Sequence, residues 1–408
     1  MTRNTIPRMT RKPPVYPVRD PAALEAAAKR LAEADWTRLE GAPETERALE
    51  ASHGGGCAWF IASGTASLEA LLLGHGIGPG DEVISTPYTW GATISAILAV
   101  GAVPVFADID PQSGQIDPTT VEACVTPRTR AIMTVHLFGL VSDVRALREI
   151  AARRGLLLFE DGSQAHGARL DGERVGLFGE GGAFSCMGMK LLTGTEGGYA
   201  LFADAAACEN AKLYGQHPRG LDPDQVERLN AEGLLDTLQL GWRPCCVSAE
   251  LVRVKLASLD AENNARRRNV GTLRAALRGA QGVSLPEEIA GAEGCWHLLS
   301  VVLDPETVPD RAVFLRRLRE TGAGGFVYIP TPVHRMKRLN PHGYKGPRVF
   351  WHEQIRRAGI DYREIHCPQA EWRSQHSVEF PFNWTTDDPE AMRQLADCLA
   401  WAAGGEGE

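Results

Sequence analysis

The sequence lacks the features that mark membrane, secreted and nucleic-acid-binding proteins. None of its apolar runs approaches the roughly 18 to 20 residues that a membrane helix requires, and the first residues have no apolar signal-peptide core. The net charge is −8, and no stripe of basic residues is present apart from a short amino-terminal segment and Arg266–Arg268. We therefore expect a cytoplasmic protein that binds neither membrane nor nucleic acid.

The spacing of cysteine and histidine also lacks the patterns of metal sites. The nine cysteines are odd in number and form no CxxC pair, and the eleven histidines form no HxxxH or HExxH arrangement. Neither a metal site nor a disulfide framework is predicted. The candidate chemistry therefore lies in other residue types.

The chain does contain a regular alternation of short apolar runs and apolar-faced helices. At 408 residues, with 44% hydrophobic and 23% charged residues, it is long enough for two globular domains. Strands that alternate with helices indicate an α/β fold with a mainly parallel sheet and right-handed crossovers. The predicted strands are 59–63, 83–86, 103–109, 131–138, 156–159 and 197–202, and one clear helix covers 143–155.

The carboxyl-terminal part is less regular and predicts a smaller α+β domain. It follows a polar, loop-rich stretch that ends near Trp242. Its predicted elements are a long helix at 248–278, a strand at 296–303, a helix at 310–322, a strand at 325–330 and a helix at 387–402. We expect an arm at 1–20 that is flexible or lies on another surface, a first helix capped by Asp20, a large α/β domain at 21–245 and the small domain at 246–408.

Two residues of opposite charge stand where a ligand crevice is expected. Asp161 closes the apolar run at 156–159, and a carboxylate at the carboxyl end of a buried parallel strand points into the crevice of an open α/β sheet. Lys190 lies between a short β-like run and a Gly/Thr-rich turn, an unusual place for a lysine that only seeks solvent. Pyridoxal 5'-phosphate needs these two groups, a lysine for the Schiff base and an aspartate for the pyridinium nitrogen. A site for this cofactor is our working hypothesis.

The turn Gly64-Thr65-Ala66 joins a predicted strand directly to a helix. Backbone N–H groups at a helix amino terminus form an anion site, to which Ser63 and Thr65 add hydroxyl groups. Taken alone, the same turn also suits an ordinary capped helix start.

Several motifs, taken in order, resemble one protein family. SGTASLEALLLGHG from Ser63, PYTWGATISAIL from Pro87, PRTRAIMTVHLFG from Pro127, FEDGSQAHGA from Phe159 and FSCMGMKLLTGTEGG from Phe184 are similar to motifs of the DegT/StrS family of sugar and cyclitol aminotransferases. The likeness is good over residues 20–280 and looser beyond. It implies the aspartate aminotransferase-like fold (type I fold of pyridoxal phosphate enzymes), pyridoxal 5'-phosphate as cofactor and a homodimer.

The resemblance assigns roles to single residues. Lys190 corresponds to the Schiff-base lysine, Asp161 to the partner of the pyridinium nitrogen and Gln164 to the side chain beside the ring hydroxyl. Trp90 falls where the family stacks an aromatic side chain on the cofactor, with a core aromatic as the alternative, and His166 is expected to be structural. Burial beside a cationic ring should lower the pKa of Lys190, so that its amine can shuttle a proton. The phosphate cradle corresponds to Gly64, Thr65, Ala66 and Ser185.

Other positions concern the substrates and a partner subunit. Arg243 aligns with an arginine in a segment that reaches the neighbouring subunit, and it is the candidate cation for a dicarboxylate amino donor. Gly241 stands where an asparagine normally contacts the neighbour's phosphate. The segments at His334 and Glu371 resemble substrate-facing motifs, and with Tyr88 they predict an acceptor pocket of neutral and acidic groups. Such a lining suits hydroxyl groups.

Three functions remain open from the sequence. An aminotransferase that passes an amino group from glutamine or glutamate to a keto sugar or keto-cyclitol, in amino sugar or aminocyclitol antibiotic biosynthesis, agrees best with Lys190 and the PYTW segment. The second is a dehydratase or an aromatising synthase of the aminohydroxybenzoate type on the same fold. Lys190 disfavours the dehydratase, since such members of the family often carry histidine at this position. The third is a non-catalytic regulatory protein that binds the cofactor.

Overall fold

The computed structural model describes residues 6–12, 21–34, 42–215, 223–233 and 238–404. The predicted cap at Asp20 lies outside these ranges, and within them no helix is both long and apolar enough to cross a bilayer. The helices are α1 (Pro21–Glu33), α2 (Ala42–His53), α3 (Gly64–Gly74), α4 (Gly91–Ala99), α5 (Pro118–Val121), α6 (Val144–Arg154), α7 (Ala205–Gly215), α8 (Pro223–Ala231), α9 (Cys246–Leu256), α10 (Leu259–Ala276), α11 (Arg311–Glu320), α12 (His352–Ala358), α13 (Pro368–Gln375) and α14 (Pro389–Ala402). The strands are β1 (Cys57–Ile61), β2 (Glu82–Ser85), β3 (Val103–Phe106), β4 (Thr129–Val135), β5 (Leu157–Asp161), β6 (Arg169–Leu170), β7 (Glu173–Arg174), β8 (Gly181–Ser185), β9 (Gly198–Phe202), β10 (Val283–Ser284), β11 (Ala292–Glu293), β12 (Leu298–Leu303) and β13 (Ser377–Pro381).

Seven strands form the central sheet, in the order β1-β9-β8-β5-β4-β2-β3. Neighbouring strands are parallel from β8 across to β3, whereas β9 runs antiparallel to both of its neighbours. Almost every residue of these strands is buried, as expected of parallel strands with helices on both faces. The predicted α/β fold with a mainly parallel sheet is confirmed.

Helix α6 illustrates how local sequence sets the helix boundaries. Asp143 Oδ1 accepts a hydrogen bond from the backbone N–H of Ala146 at 3.1 Å and so caps the first turn. The buried residues Val144, Leu147 and Ile150 recur at helical spacing and face the core. The helix predicted over 143–155 is therefore confirmed.

A second sheet of three antiparallel strands, in the order β10-β12-β13, lies in the carboxyl-terminal part. Its apolar face packs with α10, α11 and α14 around a core that includes Leu273, Val301, Phe314, Phe380 and Leu399. The predicted strand at 296–303 and the helices at 310–322 and 387–402 are confirmed.

The helix predicted over 248–278 is wrong as a single element. It is broken between α9 and α10, where the Ser258 hydroxyl donates to the Lys255 carbonyl at 3.2 Å and also bonds the Glu262 carboxylate at 2.9 Å. A serine that bonds locally in this way competes with the helical hydrogen-bond ladder. The loop-rich stretch before Trp242 likewise contains a helix, α8.

The strand predicted at 325–330 is also wrong. Only Phe326 pairs, in an isolated bridge with Glu379 of β13. Pro330 and Pro332 have no N–H to donate to a ladder, so the segment cannot continue as a strand. It runs instead toward the large sheet.

The chain between β12 and β13 packs on the large sheet. The Tyr362 hydroxyl donates to the Pro104 carbonyl at 2.7 Å, and Gln354 Nε2 donates to the carbonyls of Leu98 and Ala102 at 3.0 Å each. Residues of the predicted small domain therefore reach the elements that surround the crevice.

Residues 6–12 of the predicted arm lie against the carboxyl-terminal part. The backbone N–H of Met9 donates to the Thr321 carbonyl at 2.9 Å, and Arg11 forms an ion pair with Asp388 at 3.0 Å. The arm was expected either to be flexible or to lie on another surface. Residues 6–12 agree with the second alternative.

Candidate active site

One cleft brings together most of the residues assigned from the sequence. It opens at the carboxyl ends of β4 and β5 and at the amino ends of α3 and α4, where open α/β sheets bind ligands. Its volume is about 250 Å³. The predicted residues on its wall are Gly64, Thr65, Trp90, Asp161, Gln164, Ser185 and Lys190.

Asp161 is fixed through both of its carboxylate oxygens. Oδ1 accepts the backbone N–H of Ser163 at 3.1 Å, and Oδ2 accepts the hydroxyl of Thr93 at 2.8 Å. Thr93 is itself bonded to Thr89 at 3.0 Å. Asp161 is only 5% exposed, so this network orients a buried carboxylate toward the cleft.

Lys190 lies in the turn between β8 and β9. Its backbone N–H donates to the Met187 carbonyl at 2.8 Å, and the residue lines the same cleft as Asp161. Burial lowers the pKa of Lys190, while Asp161 and Cys186 act in the opposite direction. A lowered pKa is the predicted direction, and it favours the free amine.

The turn at 63–66 is held from both sides. Ser63 Oγ accepts the backbone N–H of Ala66 at 3.1 Å, so this N–H, predicted for the phosphate cradle, is already bonded within the protein. A Cβ atom on Gly64 would lie 2.5 Å from Ser185 Cβ, and one on Gly198 would lie 2.5 Å from the carbonyl carbon of Ser63. The turn therefore touches β8 and β9 directly, and the amino end of α3, a position that suits an anion, lines the cleft.

Gln164 has a defined amide orientation. Its Oε1 accepts the backbone N–H of Phe138 at 2.8 Å, and its Nε2 donates to the Tyr328 hydroxyl at 2.8 Å. Tyr328 was not identified from the sequence, because it comes from a distant segment that was predicted to be a strand. Thr93 was missed as well, since nothing in its local motif indicates that it reaches Asp161.

Trp90 stands at the mouth of the cleft. It precedes α4 and is 58% exposed, which contradicts the alternative of a core aromatic. Its ring lies 5.6 Å from that of Tyr328, with 31° between the planes. An exposed indole in this position can cover a ligand ring in the cleft.

The three residues predicted for the acceptor pocket do not meet at this cleft. Tyr88 is fully buried, and its hydroxyl bonds Ser377 Oγ at 3.0 Å. His334 is buried too, and its Nε2 bonds Glu371 Oε1 at 3.0 Å. Burial lowers the pKa of His334, although the bond to Glu371 opposes this. None of these three residues is on the wall of the cleft as the described residues form it.

Arg243 and Gly241 lie on the surface, away from the cleft wall. Arg243 is exposed and makes no ion pair among the described residues. Gly241 has a φ of 69°, and a Cβ atom there would meet nothing within 4 Å. Asparagine is one of the residues that tolerate this conformation, so the family's asparagine would fit here.

His166 is packed among aromatic rings near the lysine turn. It is 1% exposed, its ring lies 5.5 Å from that of Phe184, and neither ring nitrogen has a hydrogen-bond partner among the described residues. Burial, assisted by the positive charge of Lys190, lowers the pKa of His166 to about 3. The imidazole is thus neutral at physiological pH, and its place in the core supports the predicted structural role.

The residues of the cleft fit pyridoxal 5'-phosphate. Lys190, Asp161 and the amino end of α3 line the same cleft. The amide of Gln164 and the exposed indole of Trp90 line it as well. These are the groups that such a cofactor requires for attachment, ring charge and phosphate binding.

The fold and this cleft define a cofactor-dependent transferase of the α/β class. The sequence pattern of the DegT/DnrJ/EryC1/StrS aminotransferase family matches residues 20–355, and the chain belongs to that family. The predicted family, the aspartate aminotransferase-like fold and pyridoxal 5'-phosphate as cofactor are confirmed.

The chain is also similar to individual members of the family and to solved structures. An L-glutamine:2-deoxy-scyllo-inosose aminotransferase of Streptoalloteichus tenebrarius is 32% identical over 99% of this chain and 97% of its own length. A protein of the same description from Streptomyces kanamyceticus is 43% identical, but the match spans 53% of this chain and about half of that relative, 51%. The crystal structure of 3-amino-5-hydroxybenzoic acid synthase superposes with a TM-score of 0.81 at 28% identity, over 96% of this chain and 98% of that one.

Proposed function

We propose that the protein transfers an amino group from glutamine or glutamate to a cyclic polyhydroxy ketone, in the formation of an aminocyclitol or amino sugar. The observation that carries this proposal is the placement of Lys190 and Asp161 in one cleft of a chain from the aminotransferase family. The acceptor class is supported by the full-length relative from Streptoalloteichus tenebrarius, described as an aminotransferase of an inosose.

The residues of the cleft would divide the work as follows. The bound cofactor supplies an electron-withdrawing ring. Asp161, held by Thr93 and Ser163, keeps a proton on the ring nitrogen. Lys190 Nζ would hold the cofactor and, as a free amine, would move a proton at the substrate carbon, a role that its lowered pKa favours. The amino end of α3 binds the phosphate group.

Steady-state kinetics with a panel of ketones test this proposal. We expect 2-deoxy-scyllo-inosose or a keto sugar to give the highest kcat/KM, with glutamine or glutamate as donor. Pyruvate and oxaloacetate serve as controls, because they lack the ring hydroxyls that a polyol site would pair. A higher kcat/KM for either oxo acid than for every polyhydroxy ketone would contradict the acceptor class.

An aromatising synthase of the aminohydroxybenzoate type is the second candidate. It is favoured by the likeness to 3-amino-5-hydroxybenzoic acid synthase over nearly the whole chain. The two activities differ in their products, since only the synthase releases an aromatic ring. A rise in near-ultraviolet absorbance with an amino-substituted cyclic ketone, without turnover of inososes, would select the synthase.

We also propose a homodimer in which the partner subunit completes each site. The support is a group of exposed apolar side chains close to the cleft or to the Arg243 segment, Trp90, Met187, Met189 and Leu240. Exposed apolar residues of this kind mark association surfaces. Mixing inactive Lys190→Ala with inactive Arg243→Ala should restore activity in hybrid dimers. An active monomer in light scattering would refute the assembly.

Two further assignments accompany this proposal. We place the boundary of the small domain at residue 245, because α9 begins at Cys246. We place the protein in the cytoplasm, since nine unpaired thiols, including the exposed Cys245, persist in a reducing compartment. Limited proteolysis tests the domain boundary. Alkylation of the freshly isolated protein tests whether the thiols are reduced.

A further inference from the structure

The Gln164 amide presents only hydrogen-bond donors to the cleft. Its oxygen is occupied by the backbone N–H of Phe138 at 2.8 Å, and because that partner can only donate, the amide cannot be turned over. Nε2 therefore faces the cleft. One of its two N–H groups goes to the Tyr328 hydroxyl at 2.8 Å, which leaves the other for a bound ligand.

Tyr328 is held in place by the small sheet. Its backbone N–H donates to Glu379 Oε2 at 2.9 Å, and two residues earlier Phe326 exchanges backbone hydrogen bonds with Glu379 at 2.9 and 3.0 Å. Glu379 is fully buried, and its other oxygen accepts the Ser300 hydroxyl at 3.1 Å. The small sheet thus fixes the backbone of Tyr328, and the side chain of Tyr328 contacts Gln164 and Trp90 on the cleft wall.

The Tyr328 hydroxyl accepts from Gln164 and keeps its own proton free. Among the described residues no group accepts that proton. Burial, and next the negative charge of Asp161, raise the pKa of Tyr328, so the hydroxyl remains protonated across the working pH range. It is a donor and not a base.

We propose that Tyr328 is a positioning residue for the reaction: its hydroxyl locks the Gln164 amide, so that the free N–H is held toward the cleft, where it would serve the ring oxygen of the cofactor. This inference rests on the proposed function, because it concerns the same cleft. The small sheet, which anchors Tyr328, would thereby help to hold the Gln164 donor that stabilises negative charge on the ring oxygen. Trp90, whose ring packs on that of Tyr328 at 5.6 Å, is held by the same residue.

The test uses the holoenzyme of Tyr328→Phe, which removes only the hydroxyl. We expect cofactor to bind about three- to tenfold more weakly, as for the loss of one neutral hydrogen bond. The pH midpoint of the visible absorbance of the bound cofactor should move to a higher value, because a less firmly held Gln164 amide would stabilise negative charge on the ring oxygen less well. Tyr362→Phe is the matched control, since it loses a 2.7 Å buried bond to Pro104 outside the cleft.

A double-mutant cycle tests whether Tyr328 acts on cofactor binding through Gln164. If Tyr328 acts through Gln164, the effects of Tyr328→Phe and Gln164→Ala on cofactor affinity will be clearly less than additive. Additive effects, an unchanged midpoint in Tyr328→Phe, or an equal shift in Tyr362→Phe would overturn the inference. These measurements need no substrate, so failure of every ketone to turn over would count against the proposed function alone.

Discussion

Acid should destabilise this protein through His166, and replacement of that residue should remove a defined part of the effect. The folded protein holds the pKa of His166 at about 3, against 6.5 in an unfolded chain. The unfolded state therefore binds a proton more readily between these values, so the contribution of His166 to stability is fully present above pH 6.5 and is lost as the pH falls toward 3. One pKa unit corresponds to about 1.4 kcal/mol, so the loss between pH 7.5 and pH 5 is about 2 kcal/mol.

His166→Leu is the perturbation we suggest, because leucine is similar in volume and no described residue hydrogen-bonds either nitrogen of His166. Urea unfolding of the cofactor-free protein at pH 7.5 and pH 5.0 gives the free energies of unfolding. We expect the variant to lose about 2 kcal/mol less than the wild type between the two values. His342→Leu, at an exposed histidine, should follow the wild type. Equal losses in wild type and His166→Leu would refute the reasoning.

Three further predictions address the site and the core. Lys190→Ala should still bind cofactor but should show no turnover. After borohydride treatment, peptide mapping should find the cofactor fixed on Lys190 in the wild type, which is the control, and on no residue in the variant. Thr93→Val removes the 2.8 Å bond to Asp161, and cofactor affinity measured by equilibrium dialysis should fall about tenfold or more, since hydrogen bonds to charged groups are worth more than neutral ones. Burial raises the pKa of Glu46 to about 7, so its stabilising effect is present below pH 4.5 and is lost as the pH rises through 7. Glu46→Gln, which can keep the bond from the Phe60 N–H, should therefore lose less stability than the wild type between pH 5 and pH 8 in urea melts.

The sequence was sufficient for the part of the site that follows from strand ends and turns. Asp161 ends β5 and Lys190 sits in the β8–β9 turn, and both positions can be read from an apolar run and the glycines beside it. A parallel sheet then brings such positions to one edge whatever the details of packing.

The remainder depended on contacts between distant segments. Tyr328 reaches Gln164 only because Glu379 anchors it, and no local pattern around residue 328 indicates that bond. Tyr88 is close to Trp90 in sequence, yet it turns into the core to bond Ser377, which belongs to a different sheet. Side-chain direction in a loop is set by tertiary packing, and motif spacing therefore misplaced it.

The contacts of Gly64 and Gly198 have a practical meaning for laboratory evolution of this protein. Since a Cβ atom at either position would lie 2.5 Å from a neighbouring strand or turn, every substitution there would push the 63–66 turn away from β8 or β9. Variant libraries that seek a new acceptor should keep both codons constant. At position 241 a side chain meets open space, but its φ of 69° favours asparagine and aspartate, so diversity there should be limited to these two residues.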